Sequence, residues 1–149
     1  MTEIRAHRHA RAEAGFTLIE VMVVIVIIGL LATVVMINVL PSQDRAMKEK
    51  ARADVAVLEQ AVESYRLENL SFPTTEQGLS ALVSPPPGLA RPDRYREGGY
   101  VRRLPKDPWG NAYQYRYPGE NGRFDVYSMG ADGQKGGEGD EADIGNWTL

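Results

Sequence analysis

At 149 residues the chain has room for one small domain and an accessory segment. It contains no cysteine, which excludes a disulfide framework and a thiolate metal site. A net charge of −3, with charged residues at 25% of the chain, leaves no basic footprint, so no nucleic-acid partner is expected.

Residues 1–15 are polar and carry Arg5, Arg8 and Arg11. Residues 16–40 are almost wholly apolar, and as a helix they rise roughly 38 Å, enough to cross a bilayer core with some tilt. Basic residues before the run predict a cytoplasmic N-terminus and a C-terminal domain on the far side of the membrane. A cleaved secretory signal fits poorly, because the run is longer than an ordinary signal core and Val39-Leu40-Pro41-Ser42 offers no small-x-small cleavage site. A plain signal anchor fits better, but does not account for Glu20. A carboxylate four residues into an apolar span costs several kcal/mol unless it finds a partner, which makes Glu20 a functional candidate. Cleavage between Gly15 and Phe16 would supply one: the Phe16 ammonium, on the same helix face as Glu20 within one chain and available to Glu20 of a neighbouring chain.

After Pro41 the composition turns to Ala, Glu, Lys, Arg and Gln, strong helix formers. Val55, Leu58, Val62 and Tyr65 recur at i, i+3, i+7 and i+10, one helical stripe, with Ala51 and Ala61 small beside it. The pattern predicts one near-continuous helix over about 16–70, its second half amphipathic and covering the domain that follows. Ser71-Phe72-Pro73 ends it, and Pro73-Thr74-Thr75-Glu76 starts a short second helix running to about Val83. Residues 84–110, rich in proline and glycine, predict a loop braced by its own packing. Tyr113, Tyr115 and Tyr117, then Phe124, Val126 and Ser128, alternate as two antiparallel strands, with 118–122 as the turn.

The segment 128–143 holds five carboxylates (Asp132, Glu138, Asp140, Glu141 and Asp143), one lysine and many glycines. Hard divalent cations take carboxylate and carbonyl oxygens on a loop able to wrap them, and glycines permit the wrapping. The spacing is not that of an EF-hand. From chemistry alone a solvated acidic loop competes with a metal site. Both histidines, His7 and His9, precede Gly15, so a Ser/His/Asp set is impossible after cleavage there. No phosphate loop is visible, and no enzyme is expected.

The run Gly15-Phe16-Thr17-Leu18-Ile19-Glu20 with the apolar residues behind it resembles the signal of type IV pilins and type II secretion pseudopilins. The segments 72–79, 95–100, 104–110 and 143–147 extend the resemblance to the major-pseudopilin family of the type II secretion system, over nearly all of the chain after residue 15. The resemblance implies a pilin-like α+β fold. That fold has a long N-terminal helix (membrane-spanning first half, amphipathic second half) packed on a small antiparallel sheet, with a short second helix and a C-terminal metal-binding loop. It implies a leader (1–15) removed after Gly15 by a prepilin peptidase that also N-methylates Phe16, a transmembrane segment (16–40), a periplasmic half-helix (41–70) and a periplasmic globular domain (71–149).

The implied function is a structural subunit that polymerises into a periplasmic pseudopilus and helps move folded proteins across the outer membrane of a Gram-negative bacterium. Implied partners are further copies of the chain, minor pseudopilins, the inner-membrane assembly platform and the lipid bilayer, with Glu20 needed for assembly. A structural calcium ion is implied in the 128–143 loop, with Asp132 and Asp143 matching best, carbonyls of Met129 and Glu138 as further donors, and Asp140 or Glu141 standing in where Ala142 replaces an aspartate seen in relatives. The family's helix-bending proline has no counterpart at Ile37; Pro41 lies one turn later. Two alternatives remain: a subunit of a surface type IV pilus, against which the missing C-terminal cysteine pair argues, and a membrane-anchored calcium-binding domain that never polymerises.

Overall fold

The computed structural model describes residues 15–149; the leader expected at 1–15 lies outside this range except for Gly15. It also leaves out the side chains of 36–42 and of Asp140. The described chain divides between Leu40 and Pro41 into two compact units.

Helix α1 (Leu18–Asn69) provides the backbone of both. In the first unit its residues Leu18–Val35 have a mean hydropathy of 3.0 and expose apolar side chains on every face, long and apolar enough to cross a membrane. In the second unit the predicted stripe is the core: Val55, Leu58, Val62 and Tyr65 are each no more than 1% exposed, flanked by buried Ala51 and Ala61. Outside the stripe the helix carries ion pairs one turn apart, Lys50 with Asp54 and Glu49 with Arg52. The helix continues through Pro41, whose missing N–H costs the carbonyl of Ile37 its helical donor.

The expected second helix is a 3-10 helix, Gly78–Leu82, rather than one starting at Pro73. Thr74 and Gln77 cap each other: the Thr74 N–H donates to Gln77 Oε1 at 3.0 Å and the Gln77 N–H to Thr74 Oγ1 at 3.2 Å. Gly78 then turns into the left-handed region at φ +58°, which stops an α-helix from propagating. Leu79, Ala81 and Leu82 bury against α1 all the same.

The proline-rich loop is braced as expected. The N–H groups of Tyr100 and Val101 donate to the Leu82 carbonyl, and Tyr95 donates its hydroxyl to the Ala81 carbonyl. Tyr65, Tyr95 and Tyr100 meet as a triangle of rings with centroids 5.3–6.3 Å apart. The sheet has three strands in the order β1 (Gln114–Arg116), β2 (Asp125–Ser128), β3 (Ile144–Gly145), all antiparallel. The third strand has no counterpart in the sequence reading. Tyr115 pairs with Val126, and both turn toward the core with Phe124. Tyr127, on the other face, stacks on Trp147 at 5.5 Å. The α+β architecture read from the sequence therefore stands, with a shorter second helix and one more strand.

Candidate functional sites: a helix start and an acidic loop

Gly15, Phe16 and Thr17 lie outside any regular element, immediately ahead of α1, and Phe16 is 83% exposed. A side chain at Gly15 would meet nothing within 4 Å, so neither packing nor space requires glycine there. Thr17 caps the helix. Its carbonyl accepts from the N–H groups of Glu20 and Val21, and its Oγ1 accepts from the Glu20 N–H at 3.3 Å. Thr17 and Glu20 thus have the Thr-x-x-Glu spacing of a capping box, a signal present in the sequence that the reading did not use. The Glu20 carboxylate sits in the first turn, where the positive end of the helix dipole offsets part of the cost of a charge in an apolar span.

The acidic loop is tied at both ends by backbone groups. Asp132 Oδ1 accepts from the Gln134 N–H at 3.0 Å. Asp143 and Gly136 pair twice: the Asp143 N–H donates to the Gly136 carbonyl, and the Gly136 N–H donates to Asp143 Oδ2, both at 3.0 Å. Asp143 Oδ1 is buried with no hydrogen-bond partner. An unpaired buried carboxylate oxygen is costly unless a cation or donor meets it. Between these ties, Glu138 and Glu141 bound a 3-10 turn, Gly139–Glu141, and both are exposed; Met129 is half-buried. Gly137 is needed for this closure, since a Cβ there would collide with the Glu141 carbonyl. Among the described residues no three Asp, Glu or His side chains converge as a metal-ligating group. The oxygens an ion at this loop could meet are carboxylate and carbonyl oxygens; Asp143 lines the cavity beside the loop and Asp132 does not. That donor set fits a hard cation such as calcium and does not fit zinc.

The loop meets the β1–β2 connection through an ion pair that the sequence did not reveal. Lys135 Nζ lies 2.5 Å from Glu120 Oε2, and Arg116 takes the other oxygen of Glu120. Lys135 in particular, with Arg116, holds the Glu120 carboxyl below the usual range, and Glu120 in turn pushes the Lys135 ammonium up. Buried Asp125 fixes this connection by accepting the N–H groups of Glu120 and Asn121. A second buried carboxylate, Asp107, accepts from the N–H groups of Trp109 and Asn111 and from Ser128 Oγ. Residue type alone singled out neither aspartate; the turns they close did.

The family described as "Type II secretion system (T2SS), protein G" matches residues 38–147, and "Prokaryotic N-terminal methylation motif" matches residues 10–36. The chain is 55% identical over 139 residues to the Type II secretion system core protein G of Vibrio cholerae serotype O1, covering 93% of this chain and 94% of the relative. It is 49% identical to the protein of the same name from Pseudomonas aeruginosa, covering 92% and 96%. Among solved structures, the major pseudopilin from the type 2 secretion system of enterohaemorrhagic Escherichia coli superposes with a TM-score of 0.66 at 47% identity. That match covers 75% of this chain and 96% of the other.

Proposed function

The chain belongs to the type II secretion system protein G family and is a structural subunit of the pseudopilus; on that premise we propose how its two sites serve the fibre. The surface-pilus and anchored-domain alternatives are not favoured, because the family match and the relatives both belong to the secretion system.

The helix start is a processing site. A prepilin peptidase hydrolyses the Gly15–Phe16 bond at the cytoplasmic face, leaving a carboxylate on Gly15 and an ammonium on Phe16, which a methyl donor then converts to a secondary ammonium that keeps its charge. The observation that carries this reading is Gly15 itself. It lies in an exposed, non-helical stretch where the chain's own packing makes no demand for glycine, so the residue is there to be read by another molecule. The new ammonium gives Glu20 a partner of opposite charge. Between neighbouring copies that pairing sets the axial register of the stacked apolar stems, which line the fibre while the second unit faces the periplasm. Minor pseudopilins and the inner-membrane platform are the further partners this reading requires. As a structural subunit the chain is assigned no catalysis.

Calcium belongs to the same proposal. Asp132 and Asp143, with carbonyls of Met129 and Glu138 and with Asp140 or Glu141, would hold the ion, supported by the orphaned Asp143 Oδ1. Bound only by the folded loop, calcium stabilises the domain by mass action.

The decisive experiment is the intact mass and N-terminal sequence of the protein recovered from membranes of its own host. A chain beginning at N-methylated Phe16 is expected, and one still beginning at Met1 with the peptidase present overturns the processing reading. For calcium, the thermal midpoint of the full chain in detergent should rise between chelator and excess calcium. An unmoved midpoint removes the ion from the account.

A further inference from the structure

We propose that Glu120 is a post to which the acidic loop is latched, and that Lys135 is a positioning residue for a divalent cation held by that loop; the second half rests on the calcium reading above. A cavity of about 350 Å³ separates the loop from the β1–β2 connection, and Glu120, Lys135, Gly136, Asp143 and Trp147 all stand in its wall. Asp143, whose Oδ1 is buried without a hydrogen-bond partner, and the Lys135–Glu120 pair therefore border one space.

The post is preorganised. Asp125, only 3% exposed, accepts from the Glu120 N–H at 2.7 Å and from the Asn121 N–H at 3.1 Å, which fixes the backbone that presents Glu120. Arg116 holds Oε1 of Glu120, leaving Oε2 for Lys135. Fixing the acceptor in advance removes much of the entropy that makes an exposed ion pair weak.

The direction of Lys135 matters as much as its partner. It is the one basic residue in a stretch holding five carboxylates, and an ammonium turned among them would compete with any cation for those oxygens. Paired instead with Glu120, it ties the middle of the loop to the sheet. The loop's two tied aspartates then need no further ordering before a cation arrives, which is the general gain from preorganisation.

Two mechanisms predict opposite signs. If Lys135 acts only through its charge, Lys135→Gln removes a repulsive neighbour and calcium binds more tightly. If Lys135 is a latch, Lys135→Gln frees the loop and calcium binds more weakly, by about two- to five-fold given the strength of partly exposed pairs. Lys135→Arg keeps the pair and should stay within about two-fold of the parent on the same scale.

The test is a titration of the full chain in detergent with calcium alone, by competition with a chelator dye, alongside amide hydrogen exchange of residues 128–143 in calcium-free buffer. Weaker binding and faster loop exchange in Lys135→Gln, with both restored in Lys135→Arg, is the expected result. Equal or tighter calcium binding in Lys135→Gln overturns the positioning role. A parent chain that binds no calcium overturns both the ion and that role, and the exchange rates then decide the latch alone: faster exchange in Lys135→Gln establishes it, equal rates remove it.

Discussion

One helix serves two environments here, and its halves are built on different rules. Along Leu18–Val35 large apolar side chains point to every side, with Leu18 at 82%, Ile25 at 62% and Leu30 at 65% exposed within the chain itself. Across the second unit the same helix turns one narrow stripe inward: Val55, Leu58, Val62 and Tyr65 vanish, while Val57 and Leu67 stay out. A helix apolar all round must be buried by something other than its own domain, whether lipid or neighbouring stems; an amphipathic one is buried by the chain that follows it. The first half therefore contributes to anchoring and assembly, the second to the stability of the folded unit.

That division can be broken by paired substitutions. Leu58→Ala removes a side chain that is 1% exposed and should cost about 2–5 kcal/mol of domain stability, measured by chemical denaturation of the full chain in detergent. Leu30→Ala should leave the same transition unmoved. Equal shifts from both would mean that the stem takes part in the domain's cooperative unit.

Charge draws the same line. Asp107 is 4% exposed and satisfies three donors: the Trp109 and Asn111 N–H groups and the Ser128 hydroxyl. Asp107→Ala leaves all three unpaired and should cost about 1–3 kcal/mol. Glu20→Gln, by contrast, should leave the domain's stability unchanged, because Glu20 lies in the first turn of α1, in the other unit. A stability loss from Glu20→Gln comparable to that from Asp107→Ala would contradict the separation of roles.

The division also explains what could be read from the sequence. The stripe from Val55 to Tyr65 was legible because helical periodicity is local, and Gly15-Phe16 with Glu20 because a carboxylate in an apolar run is conspicuous. Strand β3 was not, since Ile144 and Gly145 are too few to show alternation and exist as a strand only through Tyr127 and Ser128. The helix expected from Pro73 became a 3-10 turn because Gly78 takes positive φ, a choice among several open to glycine. Asp132 and Asp143 were legible as acidic residues, but the ties that hold them run to the backbone of Gln134 and Gly136. The Lys135–Glu120 pair spans a turn and a strand, a separation at which charge patterning is silent.

The second unit's dependence on tyrosines should appear at high pH. Tyr113 donates to Asp54 at 2.8 Å, and Tyr115 to the Pro73 carbonyl at 2.8 Å. Burial, helped at Tyr113 by the Asp54 carboxylate, pushes both phenols well above their ordinary value near 10. The phenols are thus harder to ionise folded than unfolded. Their contribution is complete below pH about 10 and falls away as pH rises past the unfolded value, because the unfolded state then gives up protons that the folded state keeps. Tyr113→Phe should cost about 0.5–1.5 kcal/mol at neutral pH and flatten the alkaline decline. An unchanged alkaline slope would assign the decline to other groups.

The smallest effect lies where the helix ends. Leu70 has φ +61°, the only non-glycine at positive φ among the described residues, and its N–H closes the last turn on the Arg66 carbonyl at 2.8 Å. That is the position where glycine, or failing it asparagine, is favoured, because a Cβ there costs about 1–2 kcal/mol. The Leu70 side chain is 69% exposed, so little burial offsets the strain. Leu70→Gly forfeits some of the gain by loosening the unfolded chain, by about 0.5–1 kcal/mol. The remainder should still raise stability by about 0.5–1 kcal/mol, read as a small upward shift of the denaturation midpoint. Leu70 borders a groove with Phe72, Leu89 and Tyr117. If Leu70→Gly lowers stability instead, the exposed leucine is packing there strongly enough to outweigh its backbone, and the end of α1 belongs with the buried stripe rather than with the stem's outward-facing side chains.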